Sequence, residues 1–142
     1  MSSSPEESIT IARNIAKYIT PPRVIAYRGG LGAGKTTFTR GLLSGWGASD
    51  IIQSPTFTII KEYFVGFPVY HIDAYRLSSA EELEFIGIED IFYGDGIAII
   101  EWSEKVEDIL PDDRIDIFFN IPDDFKREII IEGLVIDENL GD

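Results

Sequence analysis

A glycine-rich segment of eight residues constrains this chain more than any other part of its sequence. Residues 29–36 read Gly-Gly-Leu-Gly-Ala-Gly-Lys-Thr, which matches the pattern G-x-x-x-x-G-K-[ST]. Glycines let successive backbone N–H groups turn inward around phosphate oxygens, because no Cβ stands in the way. Lys35 would reach the β- and γ-phosphates of a nucleotide, and the Thr36 hydroxyl would ligate Mg²⁺. The segment therefore predicts a loop that binds a nucleoside triphosphate.

The segments on either side of the loop support this interpretation. Val24 to Tyr27 is a short apolar run typical of a buried strand, and Thr36 to Leu43 carries bulky apolar residues at helical spacing. Phosphate would then meet a helix N-terminus, where free N–H groups and the helix dipole favour an anion. We expect the nucleotide to contact Gly30, Leu31, Gly32, Ala33, Gly34, Lys35, Thr36 and Thr37.

Composition limits the class of protein. With 142 residues and 44% apolar content, the chain is expected to form a single domain over residues 1–142, in which residues 136–142 are a loose tail. The formal net charge of −13 argues against free-standing nucleic-acid binding, which needs a basic surface, but allows docking on a basic partner. The chain has no cysteine, no secretory signal and no apolar run near the ~18 residues of a membrane span. We therefore expect a cytoplasmic protein without a membrane segment.

The order of predicted elements indicates the fold class. Strand and helix alternate early in the chain and strands cluster late, which favours an α/β, P-loop NTPase-like sheet. We expect parallel strands around the phosphate loop, antiparallel strands toward one edge, and helices on both faces. The predicted helices cover residues 5–19, 36 to 45 or 47, 80–85 and 103–110. The predicted strands cover 24–27, 59–63, 69–73, 97–101, 114–121 and 127–132, with a hairpin turn at 122–124.

Two carboxylates follow apolar strands and are candidates for holding a metal. A P-loop enzyme usually needs such an acid at a strand end, to hold Mg²⁺ directly or through water. The run before Glu101 is entirely apolar, as in a central strand, whereas the run before Asp73 contains Tyr70 and His71. We therefore assign the metal to Glu101 and Thr36. Asp73 would then either support the metal indirectly or orient the attacking water.

Several other residues allow more than one interpretation. Thr56 lies in Ser-Pro-Thr-Phe after the loop helix, where a hydroxyl could sense the γ-phosphate or simply belong to a turn. Arg76 either neutralises phosphoryl charge or is a solvated side chain. His71, the only histidine, is interpreted as a strand residue rather than a ligand, because one imidazole makes no metal site. Trp102 fits the core or, if exposed, an interface.

With these segments in order, the chain resembles the TsaE family of small P-loop ATPases in bacterial tRNA threonylcarbamoyladenosine synthesis. The resemblance covers residues 29–114. Its motifs are Gly-Ala-Gly-Lys-Thr-Thr at 32–37, Ser-Pro-Thr-Phe at 54–57, His-Ile-Asp-Ala-Tyr-Arg-Leu at 71–77, Glu-Trp at 101–102 and Leu-Pro-Asp-Asp-Arg at 110–114. Two departures are visible: Gly30 stands where family members often carry an acid, and Ser103 where they often have proline.

The resemblance implies a function and a set of roles. It implies ATP hydrolysis, weak in the isolated protein and stimulated by the partner proteins TsaB and TsaD, which modify the adenosine beside the anticodon. Contact with tRNA would be indirect, through that complex. The resemblance also implies Mg²⁺ ligation by Thr36 and Glu101, sensing by Thr56, and a catalytic role for Asp73 together with Lys35.

Two other functions remain open on the sequence. A small-molecule kinase would usually clamp the transferred phosphoryl group with several arginines, yet the arginines here are spread from Arg13 to Arg127. A nucleotide-gated binding module with incidental hydrolysis would share the parts of an ATPase. The preference for ATP over GTP follows from the resemblance and from the lack of an Asn-Lys-x-Asp segment.

Overall fold

The structure, a computed structural model, describes residues 5–29, 34–47, 60–73, 91, 94–101, 103, 107, 110–123 and 126–134. Its elements, in chain order, are α1 (Pro5–Ala16), β1 (Arg23–Arg28), α2 (Lys35–Gly45), β2 (Ile60–Phe64), β3 (Pro68–Asp73), β4 (Ile97–Glu101), β5 (Ile115–Asp123) and β6 (Lys126–Glu132). Among these described residues, no helix is long and apolar enough to cross a membrane.

The strands form one six-stranded sheet in the order β2-β3-β4-β1-β5-β6. β1 runs parallel to both β4 and β5, and β4 runs parallel to β3. The four inner strands are therefore parallel, and their carboxyl ends meet at one edge of the sheet. The α/β class and the parallel strands around the phosphate loop are confirmed.

Antiparallel strands lie at both edges of the sheet rather than at one. β2 pairs antiparallel with β3, and β5 pairs antiparallel with β6. Only residues 65–67 separate the first pair and residues 124–125 the second. Connections this short join antiparallel neighbours, because a parallel pair needs a crossover of a dozen or more residues.

Both described helices cover the same face of the sheet. A core cluster joins apolar side chains of α1 and α2 to inward-facing strand residues, among them Ile25, Tyr27, Ile97, Ile99 and Ile117. All four apolar residues of β4 are fully buried, as the unbroken apolar run predicts for a central strand. The helix predicted at 80–85 lies outside the described residues, as does most of the one predicted at 103–110.

Two element boundaries differ from the sequence prediction by more than one residue. α1 ends at Ala16 rather than Ile19, because Tyr18 and Ile19 donate backbone hydrogen bonds to the carbonyls three residues earlier and tighten the chain into a turn. β5 continues through Pro122, which we placed in the hairpin turn. A register shift between Asn120 and Asp123 accommodates this proline within the strand pair.

The contact between the two helices depends on Gly41. A Cβ at this position would lie 2.6 Å from the carbonyl oxygen of Ile9 and 2.7 Å from the Cβ of Ala12, both in α1. Such distances are shorter than van der Waals contact, so a side chain at Gly41 would push α1 away from α2.

We expect Gly41→Ala to lower the free energy of unfolding by roughly 1–2 kcal/mol, although alanine favours a helix more than glycine does. Arg40→Ala is the matched control, since Arg40 is exposed on the same helix. Urea denaturation of both variants measures the effect. A Gly41→Ala variant that is as stable as wild type, or more so, would contradict this close packing.

Candidate functional site

The predicted site residues meet at the carboxyl edge of the parallel strands. β1 ends at Arg28 and leads directly into Gly29, the first residue of the glycine-rich segment. Asp73 and Glu101 end the neighbouring strands β3 and β4, and the sheet register places them opposite each other. In open α/β sheets, ligands bind at this edge, beyond the carboxyl ends of the strands.

The first and last glycines of the loop pattern have backbone conformations that favour glycine. Gly29 has φ 132° and Gly34 has φ 92°. A Cβ on Gly29 would also collide with the backbone carbonyl of Phe119 in β5. Gly30, Leu31, Gly32 and Ala33, which we predicted to contact the nucleotide, lie outside the described residues. The described ends of the loop thus have the geometry that its glycines predict.

Lys35 connects the two ends of the loop. Its Nζ donates a hydrogen bond of 2.6 Å to the carbonyl oxygen of Gly29, although Lys35 itself begins α2. The lysine is 7% exposed, so its ammonium lies against the loop rather than in open solvent. Thr36 and Thr37 follow on the first turn of α2, and both are half-buried. A buried ammonium beside a helix N-terminus provides a positive environment for an anion.

A chain of buried polar groups supports the first turn of α2 from below. The Tyr27 hydroxyl lies 2.7 Å from Thr39 Oγ1, and Thr39 Oγ1 lies 2.9 Å from the carbonyl oxygen of Lys35, to which it donates. Because that proton goes to Lys35, the Tyr27 hydroxyl is the donor to Thr39. Ser103 Oγ in turn donates to the backbone carbonyl of Tyr27 at 2.9 Å. These bonds join β1, α2 and the segment after Glu101.

Burial raises the pKa of Tyr27 far above its ordinary value of 10.0. The negative charge of Glu101 also raises this pKa, by less than burial does. Ala26 pairs with Ile100 of β4, so the register places Tyr27 level with Glu101 and on the same face of the sheet. Tyr27 is therefore neutral at any pH at which the protein would function.

Glu101 is close to His71 of the adjacent strand. His71 Nε2 lies 2.7 Å from Glu101 Oε2, and the two side chains are 0% and 11% exposed. Asp73, two residues after His71, belongs to the same face of β3 and is half-buried. Two carboxylates and an imidazole therefore converge beside the loop. Among the described residues, these and the other His, Asp and Glu side chains do not form a ready-made cluster of three metal ligands.

Two arginines and two carboxylates brace the strand that leads into the loop. Arg28 donates from Nε to Asp116 Oδ1 at 3.1 Å and pairs with Glu107 Oε2 at 2.7 Å. Arg114 contacts the same two acids, at 3.1 Å and 3.2 Å. The hydrogen bonds that Arg28 donates, first to Glu107 and then to Asp116, raise the pKa of Arg28, despite its partial burial. This network fixes the end of β1 immediately before Gly29.

The structure describes some of the site residues that the sequence predicts, and it places them near one another. Lys35, Thr36, Asp73 and Glu101 occur at one edge of the sheet, and Glu101 ends a fully buried strand as predicted. Thr56, Arg76 and Trp102 lie outside the described residues. The sequence prediction missed the contact between His71 and Glu101. Alternation along the strand was the available signal, because it places His71 and Asp73 on one face.

Comparison with known proteins identifies the family. The profile of the family described as "Threonylcarbamoyl adenosine biosynthesis protein TsaE" matches residues 2–129. This chain belongs to the TsaE family. It is 44% identical over 127 residues to the tRNA threonylcarbamoyladenosine biosynthesis protein TsaE of Bacillus subtilis, a match covering 89% of this chain and 79% of that protein. It is 46% identical over 132 residues to the TsaE protein of Haemophilus influenzae, covering 92% and 81%.

A solved structure shows the same fold. The crystal structure of Bacillus subtilis YdiB superposes with a TM-score of 0.77 at 39% identity, covering 90% of this chain and 79% of that one. The resemblance drawn from the motifs is therefore confirmed. Within this TsaE-family chain, Ser103 is fully buried and bonded to Tyr27. The serine thus attaches the segment after Glu101 to β1 through a side-chain hydrogen bond, a contact that proline could not make.

The raised pKa of Tyr27 predicts how stability depends on pH. The folded protein keeps the phenol proton above pH 10, where the unfolded chain releases it. The free energy of unfolding should therefore fall as pH rises above 10, by up to about 1.4 kcal/mol per pH unit from this group.

We expect Tyr27→Phe to cost roughly 1 kcal/mol at neutral pH, through the lost hydrogen bond, and to lose stability less steeply above pH 10. Urea denaturation of wild type and variant between pH 8 and pH 11 measures both effects. Parallel pH profiles above pH 10 would show that Tyr27 ionises as readily in the folded protein as in the unfolded chain.

Proposed function

We propose that this protein is a Mg²⁺-dependent ATPase that supports tRNA threonylcarbamoyladenosine biosynthesis. The observation that carries the proposal is the position of Lys35, Thr36, Asp73 and Glu101 around the same loop, at the carboxyl edge of the parallel strands. Its membership in the TsaE family supplies the pathway.

The chain's own residues fit a bound triphosphate. Lys35 Nζ lies on the carbonyl of Gly29 at the start of the loop, and would exchange this contact for phosphate oxygens when a triphosphate binds. The left-handed Gly34 turns the chain into α2, so the amides of its first turn point toward the same place. Backbone amides of residues 30–33 would complete the cradle, as the loop pattern predicts.

The donor set also fits a magnesium ion held with a nucleotide. Mg²⁺ is commonly bound by one or two protein oxygens together with phosphates and waters, rather than by a complete protein cage. Thr36 supplies a hydroxyl and Glu101 a carboxylate at the required edge of the sheet. When bound, the ion would neutralise charge that develops on the β- and γ-phosphate oxygens. Asp73, opposite Glu101 in the register, would accept a hydrogen bond from the attacking water.

Hydrolysis is favoured over phosphoryl transfer to a small acceptor. Kinase lids usually bring free arginines onto the transferring group. Arg28 and Arg114 are instead held by Glu107 and Asp116, and Arg23 is held by Asp113 at 3.0 Å. These described arginines serve the scaffold, which leaves water as the acceptor that the site would use.

The proposed partners follow from the family and from charge. A chain with a net charge of −13 is repelled by tRNA, so it would act through basic partner surfaces on proteins such as TsaB and TsaD. ATP binding and hydrolysis would then change how this protein holds that complex. The isolated protein would turn over slowly, and its partners would accelerate it.

The role of Lys35 can be tested by nucleotide binding. Because hydrogen bonds to charged groups contribute about 1.5–3 kcal/mol, Lys35→Ala should weaken ATP affinity roughly 10- to 100-fold. The matched control is Lys17→Ala, which removes an exposed lysine beyond the end of α1. Titration of a fluorescent ATP analogue measures both affinities. Equal ATP affinity of wild type and Lys35→Ala would show that the lysine does not bind the phosphates.

The role of Glu101 can be tested by separating binding from turnover. Glu101→Gln should still bind ATP but lose at least about 90% of Mg²⁺-dependent hydrolysis, because the neutral amide is a poor magnesium ligand. Glu132→Gln, at an exposed position on the edge strand β6, is the matched control. Phosphate release in the presence of the partner proteins measures turnover. Unchanged turnover of Glu101→Gln would contradict the assignment of Glu101 as the magnesium ligand and would point to Asp73 instead.

The pathway assignment has its own test. Wild-type protein added to TsaB, TsaD, ATP, tRNA and the threonylcarbamoyl donor should increase threonylcarbamoyladenosine formation, and the Lys35→Ala variant should not. Mass spectrometry of digested tRNA measures the product. Undiminished modification in cells that lack this protein would refute the proposed role.

A further inference from the structure

We propose that His71 is a positioning residue, which holds the Glu101 carboxylate in the orientation that binds Mg²⁺. This inference rests on the proposed function, because it concerns how the same site is organised. His71 would touch neither nucleotide nor metal and would act only through Glu101.

The sheet geometry brings the two side chains together. In the register of the parallel pair β3–β4, His71 lies opposite Ile99 and Asp73 lies opposite Glu101. His71 and Glu101 are therefore diagonal neighbours on one face, because Glu101 is the next residue of β4 on that face after Ile99. Their closest atoms, Nε2 and Oε2, are 2.7 Å apart, which is the distance of a short charge-assisted hydrogen bond.

The burial of His71 favours a functional role for its imidazole over a role in packing alone. The residue is 0% exposed, and neither ring nitrogen has a hydrogen-bond partner in a well-aligned geometry. Nε2 is close to Oε2 without pointing directly at it, and Nδ1 is also unsatisfied. A buried unsatisfied group costs about 1–3 kcal/mol, so an apolar side chain would stabilise this position better. The neighbours on the same layer, Val69 and Ile99, are apolar.

A small rotation of the ring would direct the Nε2–H bond at Oε2. The carboxylate would then be held through one oxygen, and Oε1 would be the oxygen available to the metal. Hydrogen bonds that orient metal-binding side chains in this way commonly change metal affinity 10- to 100-fold when removed. Because His71 would hold the Glu101 side chain in place beforehand, Glu101 would lose less conformational entropy when it binds Mg²⁺.

Three substitutions distinguish positioning from simple packing. His71→Leu fills the space without a donor. His71→Gln places an amide nitrogen three bonds from Cβ, as Nε2 is, whereas His71→Asn places one two bonds from Cβ, as Nδ1 is. The glutamine variant can therefore reach Glu101 and the asparagine variant cannot, although both are polar and buried.

The measurement is the Mg²⁺ concentration that half-saturates binding of a fluorescent ATP analogue, with thermal unfolding recorded for every variant. We expect this concentration to rise about tenfold in His71→Leu and in His71→Asn, and to return to within roughly threefold of wild type in His71→Gln. Affinity for the analogue in EDTA should be unchanged in all three. If the leucine variant does not fold, the difference in half-saturating Mg²⁺ concentration between His71→Gln and His71→Asn tests the inference by itself.

A double-mutant cycle tests whether the effect passes through Glu101. In a Glu101→Gln background, His71→Leu should no longer change the half-saturating Mg²⁺ concentration. An unchanged concentration in folded His71→Leu, equal effects of glutamine and asparagine, or a full effect in the Glu101→Gln background would overturn the inference. Wild-type protein whose ATP binding is indifferent to Mg²⁺ would instead refute the proposed function.

Discussion

The parallel pairing of β4 with both β1 and β3 is the constraint on which the rest of the structure depends. It places Arg28, Asp73 and Glu101 at the carboxyl ends of adjacent strands, on one edge of the sheet. Backbone hydrogen bonds fix this register, and a shift of β4 by one residue would turn Glu101 to the opposite face of the sheet, away from His71. The glycine-rich segment begins at the end of β1 on that same edge, so the sheet itself brings Gly29 and the two acids together.

The interior departs from apolar packing mainly where it approaches this edge. Tyr27, Thr39, Ser103, His71 and Glu101 are buried polar side chains around the loop, whereas the same face farther from the edge contains Ile25, Ile97 and Ile115. The hydroxyls of Tyr27, Thr39 and Ser103 all form hydrogen bonds, either with each other or with backbone carbonyls. These bonds offset the cost of burying the hydroxyls and make the local geometry rigid. His71 and Glu101 are less completely satisfied, and this is the combination that suits a site still to receive a ligand.

Three of the described arginines are used in internal ion pairs, and the chain as a whole is strongly negative. The arginines at positions 23, 28 and 114 lie in ion pairs that brace β1 and the start of β5, and these are internal contacts of the scaffold. The chain as a whole still carries a formal net charge of −13, in a family described by its part in threonylcarbamoyladenosine biosynthesis. Under the proposed function, this charge favours contact with the proteins of the modifying complex over contact with its RNA.

The sequence by itself determined the phosphate loop, the apolar strand that ends in Glu101, the α/β class and the family, because each depends on a local pattern of residue types. It also located most strand boundaries to within one or two residues. Three features were decided only by the tertiary structure: the antiparallel pairs at both edges, the extension of β5 through Pro122, and the contacts of His71 with Glu101 and of Ser103 with Tyr27. The last two join residues 30 and 76 positions apart, and no local pattern records which strands become neighbours or in which register. The strand order and register are those that bury the apolar faces of all strands and both described helices at once. They are therefore defined only in the folded chain.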